Sequence, residues 1–482
     1  MVQCLRNISG GIFYWYNGFM LSLYNSLSRN EEPLPDQKKI RLFVCGPTVY
    51  DYLHLGNART YIFFDFFAKL LRSRGYDVDY LQNITDVDDK IIARAMTDGT
   101  STDKVARFFS DAYFEDMKAL DVDAVTKYAP ATMFIPQIIA QVERLIDKGF
   151  AYKIEGDGWY FDISKDPEYG KLSGRTAAQA EDGVSRIDDS IGKRNKGDFC
   201  LWKFTQTSLS SLEPRWPSPL GPGRPGWHIE DTAISEFHFG PQYEIHGGGV
   251  DLKFPHHEAE IAQQESASGL VPFVRIWMHT GALTVEGKKM SKSAGNFVTI
   301  RDFLKEEGPH APALFRWMVF SHHYRSPFDF SDRAVAQAKK ELERFYTLCL
   351  EAKEDAGAAA TEDDKTGKAV WAEKIDSALD NDLNTQKALS ILMEILKDER
   401  LAGSAKSDIA AGFGEIFGLN VTRATLKTGP TSKEIREKFD EYKALRGNKQ
   451  FVQSDALRAE LERLGYEVRD TEDGSVIVKK FF

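Results

Sequence analysis

The chain is predicted to be α/β, with a parallel sheet that carries an inserted subdomain, then a helical region and a small terminal module. Three features predict this. Residues 40–44 (Ile-Arg-Leu-Phe-Val) alternate like a strand and stop at Cys45-Gly46-Pro47, and a loop then leads into the helical stretch Ala58–Arg74 and a second strand, Asp77–Leu81. Strand, glycine-bearing loop, helix and strand in that order build a parallel sheet with room for a nucleotide at the loop. From about residue 125 to 225 that order lapses, and from Ile300 onward helical periodicity dominates.

Taken in order, residues 11–19 are apolar and aromatic and are followed by Met20. The run is too short to span a bilayer and lacks a small-residue cleavage site, so residues 1–20 are expected to be a dispensable extension with Met20 as the natural start, the alternative being an interfacial anchor. Ala58–Arg74 has Phe and Leu at helical spacing and is closed by Gly75. The stretch from 125 to 225 mixes a helix (Pro136–Lys148), short strands around Trp159–Phe161 and a Gly/Pro-rich run, Pro214–Pro225. We read it as the insertion, with the sheet resuming near Gly226. Ala311–Ser321, Ala334–Leu350, Ala369–Leu379 and Asp382–Asp398 read as helices, with Ala352–Gly367 as a flexible loop between two of them. After Gly429-Pro430, helices Ser432–Leu445 and Ser454–Leu464 precede a hairpin, Glu467–Val478, with Asp473-Gly474 at its turn.

At 482 residues the chain is long enough for two to four domains. A net charge of -10 excludes a chain that is basic throughout, but a local basic face can still bind nucleic acid. Cys4, Cys45, Cys200 and Cys349 have no paired spacing. That excludes a disulfide framework and fits a reducing, cytoplasmic setting.

Three stretches carry chemistry. Gly226 to Glu260 holds Trp227, several histidines and carboxylates, and the run Gly247-Gly248-Gly249, which can press against a flat ligand or take positive φ. His256 and Glu260 are spaced i, i+4, which on a helix puts both on one face as half of a metal site. His54-Leu55-Gly56-Asn57 sits where a loop enters a helix, at the positive end of its dipole. Lys289-Met290-Ser291-Lys292-Ser293 offers two lysines among small polar residues, suited to wrapping a triphosphate. Residues alone lead as far as an ATP-using enzyme with a candidate metal site.

The last two motifs, in this order, resemble the HIGH and KMSKS signatures of class I aminoacyl-tRNA synthetases. Phe43–Asp51, Asn83–Asp86, Tyr169–Arg175, Gly226–Glu230, His246–Gly249, Pro255–Glu258 and His323–Pro327 are similar to segments of the cysteinyl-tRNA synthetase family, and the resemblance runs from Leu21 to the C-terminus. It implies a Rossmann-type catalytic domain over 21–300 with the insertion at about 125–225, and a linking stem-contact region at 301–330. A helical bundle at 331–429 and an anticodon-binding module at 430–482 would follow.

The implied activity joins L-cysteine to ATP as cysteinyl-adenylate and passes the acyl group to the 3′ end of tRNA(Cys). The resemblance implies His54, Asn57, Lys289 and Lys292 as the catalytic set, on the phosphates and pyrophosphate. Gly46, Thr48, Gly56, Gly247, Gly249 and Asp251 complete the ATP site, with Mg²⁺ accompanying the nucleotide. Cys45, Gly46, Thr85, Trp227 and His246 would hold the cysteine. Zinc, one Zn²⁺ per chain, would be held by Cys45, Asp231, His256 and Glu260, and would distinguish a thiol from an alcohol. Phe451, Asp455 and Arg458 would meet the anticodon, where a ring can stack on a base.

The chain departs from the family at three positions. Asp231 stands where cysteine is usual, Asn57 where histidine is common, and Phe451 where tryptophan is frequent. A monomer with no membrane segment is expected. Two rival readings are a ligase delivering cysteine to a small amine and a non-catalytic RNA-binding paralogue. The module from Ser432 onward argues against the first, and intact His54 and Lys289–Ser293 argue against the second.

Overall fold

The structure is a computed structural model that describes residues 21–175, 190–205, 213–291, 295–355, 362–419, 433–471 and 474–479. The expected extension at 1–20, Lys292, Ser293 and Asp473 lie outside the described residues.

Five strands form one parallel sheet, in the spatial order Val274–Thr280, Tyr243–Gly249, Lys39–Val44, Asp77–Ile84, Lys127–Pro130. Chain order reverses at Lys39–Val44. The crevice beyond its carboxyl end, beside Tyr243–Gly249, is therefore the switch point where such sheets bind ligands. The register sets Val44 opposite Gly247, so Cys45 and the glycine run meet at that crevice. Lys127–Pro130 falls in the stretch expected as insertion yet forms the outer strand of this sheet; four residues are too few to show alternation. Helix Leu55–Ser73 crosses back over the sheet and is buried on nearly every face, because Phe63, Phe64, Phe66 and Phe67 meet the sheet on one side and other helices on the other.

The insertion folds as a four-stranded antiparallel sheet of Ala151–Ile154, Gly158–Phe161, Phe199–Phe204 and Gly223–Pro225. The parallel sheet does not resume near Gly226. The insertion's last strand ends there, and helix Trp227–Phe239 runs back before the sheet resumes at Tyr243. Gly226 caps that helix, and a Cβ there would lie 1.9 Å from the Cys200 carbonyl oxygen, so glycine fixes where the helix bearing Asp231 begins.

Helices Asp332–Glu354, Glu362–Asp380, Thr385–Lys397 and Gly403–Phe417 follow the linking helix Ala311–Phe320. The expected loop Ala352–Gly367 is helical on both sides of 356–361, which lie outside the described residues; Ala352 and Lys353 are good helix formers and carry the first helix on to Glu354. Gly403–Phe417 had no counterpart in the sequence reading, since Gly403, Gly412 and Gly414 disguise its periodicity. These helices share one apolar core with the sheet: Phe66 lies 5.2 Å from Phe320 and 4.6 Å from Phe417, and Phe63 stacks on Tyr324 at 4.4 Å.

Two buried polar joints cross the same boundary. Arg316 donates to Asp65 at 2.8 Å and to the carbonyls of Leu120, Asp121 and Phe417. Asp382 accepts from the Tyr24 amide at 2.8 Å, the Tyr324 hydroxyl at 2.7 Å and Arg325 Nε at 2.6 Å. The terminal module, helices Lys433–Gly447 and Phe451–Arg463 with hairpin strands Tyr466–Thr471 and Gly474–Lys479, has its own core around Phe439, Tyr442 and Leu461.

Candidate active site and metal centre

Each element delivers one part of a buried cluster. Strand Lys39–Val44 ends at Cys45, helix Trp227–Phe239 brings Asp231, and helix His256–Ser268 brings His256 and Glu260 one turn apart. The donor atoms of these four residues lie within 4.8 Å of one another, and all four residues are buried. His256 Nε2 is 2.8 Å from Glu260 Oε1 and 3.1 Å from Asp231 Oδ2, while Cys45 Sγ is 3.9 Å from Glu260 Oε1. The i, i+4 spacing in the sequence thus corresponds to a real shared face.

A second quartet overlaps the first: Cys45, His246, His257 and Glu260 also satisfy the 4.8 Å limit. The sequence reading did not single out His257, although it lies next to His256 and three residues before Glu260. Cys45 Sγ is 3.1 Å from His257 Nε2 and 3.3 Å from His246 Nε2. His257 Nδ1 meets His279 Nε2 at 2.8 Å, and His279 Nδ1 meets the Ser26 hydroxyl at 2.8 Å. Tyr243 OH reaches His246 Nδ1 at 2.7 Å. Burial lowers the pKa of all three imidazoles, so each is neutral with one ring proton. If the Ser26 and Tyr243 hydroxyls donate, both chains end with an imidazole N–H aimed at the Cys45 sulfur. His256 is oriented similarly, its Nδ1 2.8 Å from His228 Nδ1.

The donor set fits a divalent cation. Glu260 Oε2 accepts no hydrogen bond among the described residues, although His246 Nε2 is 3.4 Å away. Burial pushes the Cys45 thiol well up, and Glu260 and Asp231 push it further. Burial alone would lower His256, but Glu260 and Asp231 overcome it and raise its pKa to about 10. The cluster thus gathers positive charge onto its own imidazole, the charge that a bound cation would supply.

The residues expected to meet a nucleotide lie on the crevice's lining elements and beyond them. His54 caps helix Leu55–Ser73, its Nδ1 accepting from the Asn57 amide at 3.3 Å. Burial lowers its pKa to about 4 against the opposing pull of nearby Asp251, so the ring is neutral and, with Nδ1 accepting, carries its proton on Nε2. A Cβ on Gly56 would come within 3.0 Å of the His54 ring. Gly247, Gly248 and Gly249 take no positive φ; a Cβ on Gly247 would strike the Phe64 ring at 2.2 Å, so close helix packing requires that glycine. Lys289 is exposed on the short strand Lys288–Lys289. Beyond it, Met290 Sδ accepts from the Val298 amide at 3.5 Å, and the Val298 carbonyl accepts from the Leu55 amide at 3.2 Å, which ties this loop to the start of the His54 helix.

On the other flank, Trp227 stacks on His256 at 4.4 Å. Thr85 is buried and exchanges backbone hydrogen bonds with the Pro47–Val49 segment beside Thr48. In the terminal module Phe451 is exposed with the Arg446 guanidinium 5.4 Å over its ring, and Asp455 lies 3.6 Å from Arg446. Arg458 donates to the Val468 carbonyl at 2.8 Å.

Comparisons with known proteins follow the same outline. The family described as tRNA synthetases class I (C) catalytic domain matches residues 32–340. The cysteine–tRNA ligase of Hahella chejuensis is 40% identical over 473 residues, covering 95% of this chain and 99% of its own. That of Thermoplasma acidophilum is 40% identical over 466 residues, covering 95% and 100%. The chain belongs to the cysteine–tRNA ligase family. This family member also shares its fold with more distant synthetases. Mycobacterium tuberculosis methionyl-tRNA synthetase in complex with methionyl-adenylate superimposes with a TM-score of 0.57 at 14% identity, covering 80% of this chain and 93% of that one. A ternary LeuRS–tRNA–LeuAMS complex from Agrobacterium radiobacter gives 0.57 at 12%, covering 83% and 86%. Among the described residues no helix is long and apolar enough to cross a membrane.

Proposed function

We propose that this chain, as a cytoplasmic monomer, activates L-cysteine with ATP and transfers it to the 3′ end of tRNA(Cys). The observation that carries the reading is the buried quartet Cys45, Asp231, His256 and Glu260, with Cys45 at the switch point of the sheet. In the first step a carboxylate oxygen of cysteine bonds to the α-phosphorus of ATP and the bond to pyrophosphate breaks. The terminal ribose hydroxyl of the tRNA then attacks the carbonyl carbon and AMP leaves.

Negative charge grows on the phosphates in the first step, so aimed donors accelerate it more than a protein nucleophile would. His54 offers Nε2–H and the Asn57 side chain a neutral amide. Lys289 and Lys292 supply positive charge to the pyrophosphate, with Mg²⁺ accompanying the nucleotide. Gly46, Thr48, Gly56, Gly247, Gly249 and Asp251 shape the nucleotide cleft. Cys45, Gly46, Thr85, Trp227 and His246 surround the amino acid. Zinc on the quartet would supply affinity for a thiolate over an alcohol, a distinction that pocket shape alone makes poorly.

ATP–pyrophosphate exchange driven by cysteine and not by serine, followed by charging of tRNA(Cys), tests this reading. Exchange that ignores cysteine would overturn it. The division of labour along the chain makes a second test. The module from residue 433 has its own core, so deleting it is expected to leave exchange within about twofold and to cut tRNA charging by at least about two orders of magnitude. Phe451, Asp455 and Arg458 are the residues proposed to meet the anticodon there. Equal losses in both assays would make the module a structural prop.

A further inference from the structure

The metal quartet contains one ligand that brings more atoms than it needs. Cysteine would present a single sulfur at position 231, whereas Asp231 has two oxygens in a site where all four ligands are buried. Its Oδ2 points at His256 Nε2, 3.1 Å away, within the cluster. Its Oδ1 points the other way and accepts from Asn83 Nδ2 at 2.6 Å.

The orientation of that amide is set from the opposite side. Asn83 Oδ1 accepts from the Gly46 amide at 2.6 Å, and a peptide N–H can only donate, so the oxygen of Asn83 must face Gly46 and its nitrogen must face Asp231. The same NH₂ group lies 3.3 Å from Thr85 Oγ1. Asn83 is fully buried near the end of strand Asp77–Ile84, and the backbone around it is tight: a Cβ on Gly46 would lie 1.7 Å from the Asn83 carbonyl oxygen. One amide therefore spans the gap between the backbone next to Cys45 and the carboxylate of Asp231, joining two ligands from different elements.

We infer that Asn83 is the positioning residue that makes Asp231 a one-oxygen metal ligand, holding Oδ1 away so that Oδ2 alone occupies the place of a sulfur. This role rests on the proposed metal site. Without the amide, the carboxylate is free to rotate, to offer both oxygens, or to take the His256 proton in place of the cation.

Zinc retention against a competing chelator, measured on the full chain, tests it in a double-mutant cycle with Asp231→Cys. Asn83→Ala is expected to weaken zinc binding about 10- to 100-fold when Asp231 is present and no more than about threefold in the Asp231→Cys background, where no second oxygen needs holding. Equal losses in the two backgrounds would reduce Asn83 to a support for Gly46 and overturn the inference. Asn83→Asp keeps an acceptor for Gly46 but replaces the N–H toward Asp231 with a like-charged oxygen, so it should weaken zinc binding at least as much and serves if Asn83→Ala does not fold. Wild-type zinc affinity in that variant would also overturn the inference. A wild-type chain that binds no zinc would refute the metal reading itself, and this role with it.

Discussion

Cys45→Ala is expected to abolish stoichiometric zinc and to depress cysteine-dependent pyrophosphate exchange by more than the roughly 10- to 100-fold that outer partners of metal ligands cost. The sulfur is shared, with Glu260, by both quartets, and two imidazoles, His246 and His257, converge on it within 3.3 Å. Its removal therefore dismantles the cluster however the cation is shared. Asp231→Ala is expected to behave alike, whereas Asp231→Cys should keep both zinc and exchange, because a thiolate carries the same charge as the carboxylate it replaces. A carboxylate is the harder ligand and donates less electron density. The wild-type site should accordingly release zinc to a chelator faster than Asp231→Cys does. Metal analysis of the purified proteins decides the matter: full zinc in Cys45→Ala, or undiminished cysteine activation with substoichiometric zinc in the wild type, would sink this account.

Asp65→Asn should destabilise the chain by about 3–5 kcal/mol, the usual cost of leaving one member of a buried ion pair alone. Both side chains of the Asp65–Arg316 pair are 0% exposed. Asp65 Oδ1 also accepts from the Asp123 and Ala124 amides, and Lys69 donates to Oδ2 at 2.9 Å, so the carboxylate organises a loop as well as a partner. Burial would raise the pKa of Asp65, but Arg316 and Lys69 outweigh it and hold it below the ordinary value of 3.8. A carboxylate depressed in the folded state contributes stability that is complete above its unfolded value and is lost as pH falls through the folded one. The gap in denaturant midpoint between wild type and Asp65→Asn should therefore be widest near neutrality and close below about pH 4. A gap unchanged by acid would show that the loss comes from packing instead of charge.

How far the sequence could be read depended on whether each signal was local. The crevice was legible because Cys45-Gly46-Pro47, His54–Asn57 and the lysine loop each punctuate a strand or helix end, and their chemistry follows from type and spacing. The pairing of His256 with Glu260 was legible because helical period links them. His257, His279 and Ser26 were not, since the chain of contacts joining them links a helix, a strand and the N-terminal turn, and no short-range pattern encodes that path. Asp65 had a local hint: a lone acid among four phenylalanines, Phe63, Phe64, Phe66 and Phe67, marks a charge that folding must bury. Arg316 lacked one, standing in an apolar stretch some 251 positions later. Gly247 was read for a ligand, yet Phe64 already demands it for packing; both needs ask for the same missing Cβ, so residue type could not separate them.

The Asp382 joint has a consequence for how the chain is made. Asp382 and Leu383 hold φ of 49° and 54°, a costly conformation for residues with a Cβ, and it is kept by what the Asp382 carboxylate grips. One of those partners, the Tyr24 amide, is 358 positions earlier. At ribosomal speeds of about 5–20 residues per second, roughly 20 to 70 s separate the synthesis of the two. Throughout that interval the N-terminal strand Ser22–Asn25 can pair with Asn30–Pro33 but cannot be clasped. The edge strand Val274–Thr280, which Ser26 and Asn25 cover through Trp277 and Arg275, also waits for its final fastening. A nascent chain stalled before residue 382 would therefore carry every residue of the buried quartet and of the crevice beside it without the contacts that close the catalytic half. Competence for chemistry should thus arrive late in translation, with the helices that carry none of the chemistry.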